Sequence, residues 1–446
     1  MLYRCSAAGV TDYQRLTCAQ VVMSREAMSV DTPESRLSLS RRIHGPRRGL
    51  LLASTWFFLA FHAAEALAQF PSVVVPQVSG VTTGPACAAS ANGTGHLICV
   101  IGDSKMNLSA VSLQTRAGAF ASPPLDPPAL LPLGVAGTIR SPACASTADG
   151  TGDVVCGFTA LSGAMSGIRF NIFNGTIYPV ETLSREGRQF TSCANGDQRF
   201  TVAGPPAQEG PAGATICFYP NHNGWFTAFA FNPASGYSKL LSTGKQLGDP
   251  SCSNANDGTN QMLCGIAPPV FQSGLGFVGE TLAGIAADPR TSSITPVQAL
   301  FSGTQFPFSD VGCATADNSG QLICLASGTA TIPVGYAFDP RSGYVSTLQN
   351  LGTAAVSGVP SCSGLADKSN EVICVFNTSA GDVMAVKFDP RTGASSGLVS
   401  TGLVSSQANG TPISLSCTFQ NINPDQITCA GVTGSSNELF GLIVHL

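Results

Sequence analysis

The chain has 446 residues, of which 11 % are charged and 43 % hydrophobic, with 49 glycines, 29 prolines and a formal net charge of −4. So few charges beside so many glycines and prolines exclude an all-helical protein, and the apolar content excludes a disordered chain. The 16 cysteines are too few for a disulfide miniprotein and many for a cytosolic protein. A chain of this length forms two or three ordinary domains or one large repeat architecture.

The first predicted element is an export signal with an extension in front, in residues 1–68. Arginine pairs at positions 41–42 and 47–48 precede an apolar run over 50–61, and residues 66–68 read Ala-Leu-Ala before Gln69. This order is typical of a secretory signal peptide, and the run is short for a transmembrane helix. We therefore predict cleavage, a secreted or periplasmic protein, and no integral membrane segment afterwards. An uncleaved signal anchor is the alternative.

The predicted mature chain is 69–446. It carries 14 Lys and Arg and 21 Asp and Glu, which gives a net charge of −7. Because it is acidic and has no basic cluster, we expect no nucleic-acid partner.

Fourteen cysteines of the mature chain fall into seven pairs. Six pairs are 11 or 12 residues apart, one is 24 apart, and the first members recur every 49 to 61 residues. A fixed period of this length indicates blades or solenoid units, here with repeats starting near 85, 142, 191, 250, 311, 360 and 415. The pairs are Cys87/Cys99, Cys144/Cys156, Cys193/Cys217, Cys252/Cys264, Cys313/Cys324, Cys362/Cys374 and Cys417/Cys429.

The segment inside each pair predicts a β-hairpin closed by a disulfide. An Asp-Gly turn such as Asp257-Gly258 lies midway between Cys252 and Cys264, and the flanks are short and end in apolar residues. One cysteine on each arm can face the other, with Cα atoms expected about 5.5–6 Å apart. Zinc is the rival, but zinc sites favour Cys-x-x-Cys spacing with histidine nearby.

A second repeated phrase follows four of the seven pairs and predicts a turn. Asp or Asn, then Pro, then Gly three residues after the Pro, is typical of a type I turn closed by a left-handed glycine. Apolar residues precede it, so each unit contains four strands. A charged binding ring built from these sites is the alternative interpretation. The phrase occurs as Phe231-Asn232-Pro233, Ala287-Asp288-Pro289-Arg290, Phe338-Asp339-Pro340-Arg341 and Phe388-Asp389-Pro390-Arg391.

Seven such units predict an all-β, seven-bladed β-propeller with four-stranded antiparallel blades and one hairpin disulfide per blade. The last unit stops after its third strand, 439–444, while an unpaired strand, 70–75, precedes the first cysteine. We predict that this N-terminal strand completes the last blade and removes a free edge.

Residues that carry chemistry are sparse in the mature chain. Its histidines are His96, His222 and His445, its single tryptophan is Trp225, and no nucleophile elbow, zinc-protease motif or phosphate loop occurs. The richest oxygen-donor set, around Asp257, lacks the spacing of a calcium loop. We therefore predict no catalytic residue, no cofactor and no metal, and retain His222 and Trp225 as candidate binding residues.

The rhythm of the repeats resembles lectin-like propellers of the tectonin and bacterial fucose-lectin type. A Pro-Ser-Cys first strand after a Leu-Gly pair carries the resemblance, as in Pro360-Ser361-Cys362. The resemblance covers nearly all of 69–446 and implies sugars held by repeated Trp or Tyr side chains between blades. This chain departs from that pattern, because no exposed aromatic recurs in every unit.

We accordingly predict a non-enzymatic, monomeric binding module with a glycan or protein partner, possible carbohydrate recognition being the implication of the resemblance. The first alternative is a propeller lyase or hydrolase with acids and bases converging on the central funnel. The second is a purely structural envelope or secreted protein.

Overall fold

The computed structural model describes part of the chain, and every structural statement below concerns that part. It consists of residues 72–74, 78–90, 95–116, 119–120, 130–135, 142–147, 151–185, 192–195, 214–220, 225–246, 248, 250–255, 257, 259, 261–267, 282–288, 293–301, 310–316, 319–327, 332–365, 369–404, 414–419, 425–432 and 437–446.

These residues form antiparallel β-strands, which group into seven sheets. The strand before the first repeat is β1 (Ser72–Val74). Blade 1 contains β2 (Ala86–Ala89), β3 (His96–Gly102), β4 (Leu108–Arg116), β5 (Ala119–Phe120) and β6 (Leu130–Pro132). Blade 2 contains β7 (Ala143–Ser146), β8 (Val154–Thr159), β9 (Met165–Asn171), β10 (Thr176–Ile177) and β11 (Glu181–Ser184). Blade 3 contains β12 (Ser192–Asn195), β13 (Thr215–Pro220), β14 (Trp225–Asn232) and β15 (Tyr237–Gln246).

The remaining four blades follow the same plan. Blade 4 contains β16 (Pro250–Asn254), β17 (Met262–Ile266), β18 (Leu282–Asp288), β19 (Ser293–Ile294) and β20 (Gln298–Phe301). Blade 5 contains β21 (Val311–Thr315), β22 (Leu322–Ser327), β23 (Pro333–Asp339), β24 (Tyr344–Val345) and β25 (Gln349–Asn350). Blade 6 contains β26 (Val356–Gly364), β27 (Val372–Thr378), β28 (Asp382–Asp389), β29 (Ala394–Ser395) and β30 (Val399–Val404). Blade 7 contains β31 (Ser414–Phe419), β32 (Gln426–Val432), β33 (Leu439–His445) and the N-terminal β1.

The chain is therefore a seven-bladed propeller, as the sequence predicts. The innermost strands contact one another in cyclic order, and β31 contacts β2 to close the ring. β1 pairs with β33, Ser72 lying opposite Leu442, so the N-terminal strand completes the last blade as predicted. One detail differs from a plain four-strand plan. In blades 1, 2, 4, 5 and 6 the outer strand is broken into two short pieces, both paired with the third strand.

The hydrophobic core lies between the blades, with one buried cluster at each of the seven junctions. The middle strands read as continuous apolar runs because both of their faces are covered by neighbouring blades. β27, Val-Ile-Cys-Val-Phe-Asn-Thr, is buried at every position. Burial of this kind contributes about 1.5–3 kcal/mol for each large side chain.

A phenylalanine and a glycine lock adjacent blades together. The phenylalanine before the second turn, such as Phe338, is fully buried against a glycine on the third strand of the preceding blade. A Cβ on Gly284 would lie 2.4 Å from a ring carbon of Phe338, so only glycine leaves room for the ring. The other two pairs are Gly167 with Phe231 and Gly335 with Phe388.

Each blade carries one disulfide inside its first hairpin. The pairs are Cys87–Cys99, Cys144–Cys156, Cys193–Cys217, Cys252–Cys264, Cys313–Cys324, Cys362–Cys374 and Cys417–Cys429. Their Cα atoms are 3.9–4.1 Å apart, closer than the expected 5.5–6 Å. The expectation was wrong because the cysteines lie directly opposite each other at non-hydrogen-bonded positions, where strands approach most closely.

The backbone N–H of the first cysteine of each pair points away from the strand that carries the second cysteine. In four of the seven blades a serine hydroxyl accepts a hydrogen bond from this N–H. This serine precedes the first cysteine of the blade before. The bonds run from Cys87 to Ser416 (3.0 Å), Cys252 to Ser192 (3.1 Å), Cys313 to Ser251 (2.8 Å) and Cys417 to Ser361 (2.8 Å). The Ser-Cys dipeptide therefore satisfies inner edges that would otherwise be open.

Candidate functional site

The structure tests neither of the two candidate binding residues of the sequence. His222 lies outside the described residues. Trp225 is the first residue of β14, with its backbone opposite Gln246, and its side chain is outside the description. Both therefore stay predictions.

The inner strands carry no ionisable side chain, since their cysteines are disulfide-bonded. β2, β7, β12, β16, β21, β26 and β31 contain no Asp, Glu, His, Lys or Arg. Within the described ranges, no group of three or more His, Cys, Asp or Glu side chains could hold a metal ion. Asp257, from the richest oxygen-donor set, is instead paired with Arg341.

The Asp-Pro-Arg phrase of blade 5 forms a turn that also ties two blades together. Asp339 accepts the N–H of Arg341 at 2.9 Å, and Gly343 closes the turn with φ of 79°. Arg341 Nε donates to Asp339 Oδ1 at 2.8 Å, and Arg341 Nη1 reaches Asp257 Oδ2 of blade 4 at 2.6 Å. One guanidinium thus joins the first turn of blade 4 to the second turn of blade 5.

Burial and hydrogen bonding act in opposite directions on this ion pair. Partial burial raises the pKa of Asp257, but hydrogen bonds from Thr259 and Arg341 outweigh it and hold the pKa below its ordinary value. Burial lowers the pKa of Arg341, but the carboxylates of Asp339 and Asp257 outweigh it and raise the pKa. Both groups are therefore charged at neutral pH.

Blade 6 repeats the tie. Arg391 Nε donates to Asp389 Oδ1 at 2.7 Å, Nη1 to Gln321 of blade 5 at 3.3 Å, and Nη2 to the carbonyl of Asn370 at 2.6 Å. The charges of these two phrases are satisfied inside the protein, which favours turns over a charged binding ring. In blade 4, Pro289 and Arg290 lie outside the described residues.

Blade 2 keeps the same turn and changes its third residue. Asn171 takes the place of Asp339, accepts the N–H of Phe173 at 3.0 Å, and is followed by Gly175 with φ of 73°. Phe173 therefore occupies the position of Arg341. Its side chain is 43 % exposed.

The neighbour of Phe173 in blade 1 is also changed. His96 stands three residues before the second cysteine, where blade 5 has Gln321. The rings of His96 and Phe173 meet edge to face, with centroids 4.9 Å apart and planes at 75°. A hydrogen bond of 2.8 Å between His96 Nδ1 and Ser112 Oγ orients the imidazole. The junction of blades 1 and 2 thus has an aromatic pair where the junction of blades 5 and 6 has an Arg–Gln pair.

A buried ion pair holds the blade 2 turn from beneath. Arg169 Nε donates to Asp153 Oδ2 at 2.7 Å, and their side chains are 6 % and 5 % exposed. Asn171 donates to the other oxygen of Asp153, also at 2.7 Å. The Arg169 guanidinium lies 5.3 Å from the ring centroid of Tyr178 on the outer edge. The turn that presents Phe173 is therefore fixed in place.

The exposed large apolar side chains concentrate in blades 1 and 2. Six of the nine in the described residues lie there, which are Met106, Leu130, Leu161, Phe173, Ile177 and Val180. Phe173, Ile177, Tyr178 and Val180 follow one another along the turn and outer strand of blade 2, and we call them the blade 2 rim. Apolar groups gathered in this way mark interaction surfaces more often than scattered ones do.

The third histidine belongs to a separate surface pair. His445, at the end of β33, is hydrogen-bonded through Nε2 to Asp425 of the preceding turn, and both side chains are about half exposed. This hydrogen bond holds the pKa of Asp425 below its ordinary value. The pair links two parts of blade 7.

Comparisons with known proteins show the fold. No protein-family model and no curated protein matches the sequence. Among solved structures, the BP39L lectin from Burkholderia pseudomallei has a TM-score of 0.58 at 13 % identity, covering 82 % of this chain and 97 % of the lectin. The fucose-specific lectin from Aleuria aurantia has a TM-score of 0.43 at 10 % identity, covering 74 % of this chain and 100 % of the lectin. BBS1N in complex with ARL6DN has a TM-score of 0.48 at 13 % identity, covering 83 % and 94 %. The chain therefore shares the fold of the BP39L lectin, and at 13 % identity the likeness extends to the fold alone.

Proposed function

We propose that the protein is an exported carbohydrate-binding module, secreted or periplasmic, whose sugar site is the blade 2 rim together with His96. The signal-peptide pattern of residues 1–68 supports export, and so do the seven disulfides, because such bonds persist in oxidising compartments. In the described ranges, no helix is long and apolar enough to cross a membrane.

The observation that carries the proposal is the exposed ring of Phe173 at a turn position that other blades give to arginine. Arg341 and Arg391 each form several bonds there, whereas Phe173 contacts His96 and leaves 43 % of its surface open. A rigid turn that presents an aromatic ring to solvent serves recognition better than stability.

A sugar suits this surface chemically. The C–H face of a pyranose stacks on an aromatic ring, and a polar side chain at the ring edge can bond its hydroxyls. Phe173 supplies the ring, and His96, held by Ser112, supplies the polar edge. The likeness to the BP39L lectin supports the fold behind this proposal and nothing further.

The two rival functions are less well supported. The inner strands offer no general acid or base, so a hydrolase or lyase centre would have to be assembled from the connecting loops. A purely structural protein gives no reason for an exposed aromatic on a turn anchored by a buried ion pair.

A glycan array with the oxidised protein tests the proposal. We expect binding confined to one sugar class and weakened at least tenfold by Phe173→Ala, a loss of about 1.4 kcal/mol. Tyr344→Ala is the matched control, since Tyr344 is an exposed aromatic (36 %) just after the equivalent turn of blade 5. A blank array, or equal binding by Phe173→Ala and wild type, would contradict the proposal. A pull-down would then test for a protein partner.

A further inference from the structure

The outer strand of blade 3 differs from those of its sibling blades. β15 runs from Tyr237 to Gln246 as one strand and pairs with β14 in unbroken register from Tyr237 to Ser242. The outer strands of blades 2, 4, 5 and 6 begin with pieces of only two residues, then break, then resume. Blade 3 therefore presents a longer continuous edge.

One outer-strand position distinguishes blade 3 from three of the blades whose outer strand is broken. We number the outer-strand residues of each blade from the first one that pairs with the third strand after the turn. The fourth residue is then Pro179 in blade 2, Pro296 in blade 4 and Gly397 in blade 6. Proline and a glycine with φ of 71° both interrupt a strand. In blade 5, whose outer strand is also broken, this position is Thr347. In blade 3 the same position is Leu240, which continues the strand and is 57 % exposed.

The backbone N–H of the residue at this position points away from the blade. The N–H of the preceding residue points toward the third strand in other blades. In blade 5, for example, the N–H of Ser346 donates to the carbonyl oxygen of Ala337 on the third strand at 2.8 Å. Because N–H groups alternate along a strand, the N–H of the next residue points outward. The prolines of blades 2 and 4 remove that donor, whereas Leu240 keeps it, flanked by the equally directed groups of Ser238 and Ser242.

The charge of this edge is distinct as well. Lys239 and Lys245 lie on β15, and no other outer strand of the described residues contains Lys or Arg. These are two of only five lysines in residues 69–446, a stretch whose net charge is −7. A second copy of β15 would bring like charges together, whereas an acidic strand would complement them.

We propose that the outer edge of β15 binds an extended acidic peptide segment of a partner protein by strand addition. The peptide would pair its backbone with the outward N–H and C=O groups of Ser238, Leu240 and Ser242 and place acidic side chains beside Lys239. This edge belongs to a different blade from the proposed sugar site, so failure of one proposal would not contradict the other.

Selection from a random linear decapeptide library, displayed on phage, against the oxidised protein tests the proposal. We expect acidic sequences of alternating β-favouring residues, bound at least tenfold more weakly by Leu240→Pro and by Lys239→Glu. Leu240→Pro installs the residue that blades 2 and 4 carry at this position, so it is compatible with the fold. Thr347→Pro, at the equivalent exposed position of blade 5, is the control and should leave binding unchanged.

Three results would overturn the proposal. These are the absence of any enriched acidic peptide, equal binding by Leu240→Pro and wild type, or wild-type self-association that Leu240→Pro abolishes, which would assign the edge to a second copy. Hydrogen exchange supplies a second readout, because the bound peptide should slow exchange of the Ser238, Leu240 and Ser242 amides.

Discussion

The same turn, built by an Asp or Asn side chain and a glycine of positive φ, serves two purposes in this propeller. It occurs at the junctions on either side of blade 5 and at the junction between blades 1 and 2. In blades 5 and 6 the third turn residue is Arg341 or Arg391, which reaches the neighbouring blade and forms charged hydrogen bonds. In blade 2 it is Phe173, which touches His96 edge to face and remains open to solvent. Because an Asp or Asn side chain and a positive-φ glycine build the turn, its third residue can change without loss of the fold.

The largest expected effect comes from breaking the ring that both regions share. Deletion of residues 70–76 removes β1 and exposes the edge of β33 with its apolar side chains. We expect the protein to become insoluble or to unfold at a much lower temperature, as measured by expression in soluble form and thermal denaturation. Placing the deleted strand after Leu446 should restore solubility. A soluble, fully stable deletion variant would show that blade 7 does not need it.

The disulfides should matter equally in the two regions, since each closes the same hairpin. Replacing Cys87 and Cys99 by alanine in blade 1, or Cys362 and Cys374 in blade 6, should each cost about 3 kcal/mol in the free energy of unfolding. Urea denaturation of the two double variants measures this. A cost in blade 6 much greater than that in blade 1 would show that the blades differ in more than their turns.

Replacing the third turn residue should lower the free energy of unfolding more in blade 5 than in blade 2. Arg341→Ala leaves Asp257 and Asp339 without their partner, and we expect a loss of about 1–2 kcal/mol. Phe173→Ala removes a side chain that is nearly half exposed, and we expect the free energy of unfolding to fall by less than about 0.5 kcal/mol. Urea denaturation of both variants is the measurement, and equal losses would mean that Phe173 stabilises the fold as much as Arg341 does.

An effect weaker than that of Arg341→Ala is a dependence on pH of the ion pair between blades 4 and 5. The lowered pKa of Asp257 means that its charged form stabilises the fold above the unfolded pKa, and that this contribution is lost as pH falls through the folded pKa, below 3.8. Asp257→Asn should therefore cost about 0.5–1 kcal/mol at pH 7, with the difference from wild type shrinking below pH 3.8. A difference independent of pH would argue against the ion pair.

Much of the fold could be predicted from the sequence because the cysteines mark every repeat. Their spacing gave seven hairpins, and the unpaired strand at the N-terminus indicated how the ring closes. The outer-strand breaks were harder to see, because Pro179, Pro296 and Gly397 align only when the units are superposed on their turns. The serine before the first cysteine was visible, but its acceptor role depends on the neighbouring blade.

The candidate site was largely missed. Phe173 lies in a turn that lacks the proline of the repeated phrase, so Asn171 and Gly175 were not recognised as its frame. His96 stands out in the sequence only as one of three histidines of the mature chain, because its contact with Phe173 joins positions that are far apart in the chain. Sequence reasoning favoured Trp225, the rarest side chain, over a phenylalanine whose significance depends on comparison with Arg341.

Exchanging one kind of junction for the other tests the central claim most directly. The variant Phe173→Arg with His96→Gln gives the junction of blades 1 and 2 the residues that tie blades 5 and 6. Glycan binding and urea denaturation of this variant and of wild type are measured side by side. We predict that the variant keeps or exceeds the stability of wild type and loses sugar binding at least tenfold. Unchanged sugar binding by a folded variant would contradict the account, because the blade 2 rim would then not be the binding surface.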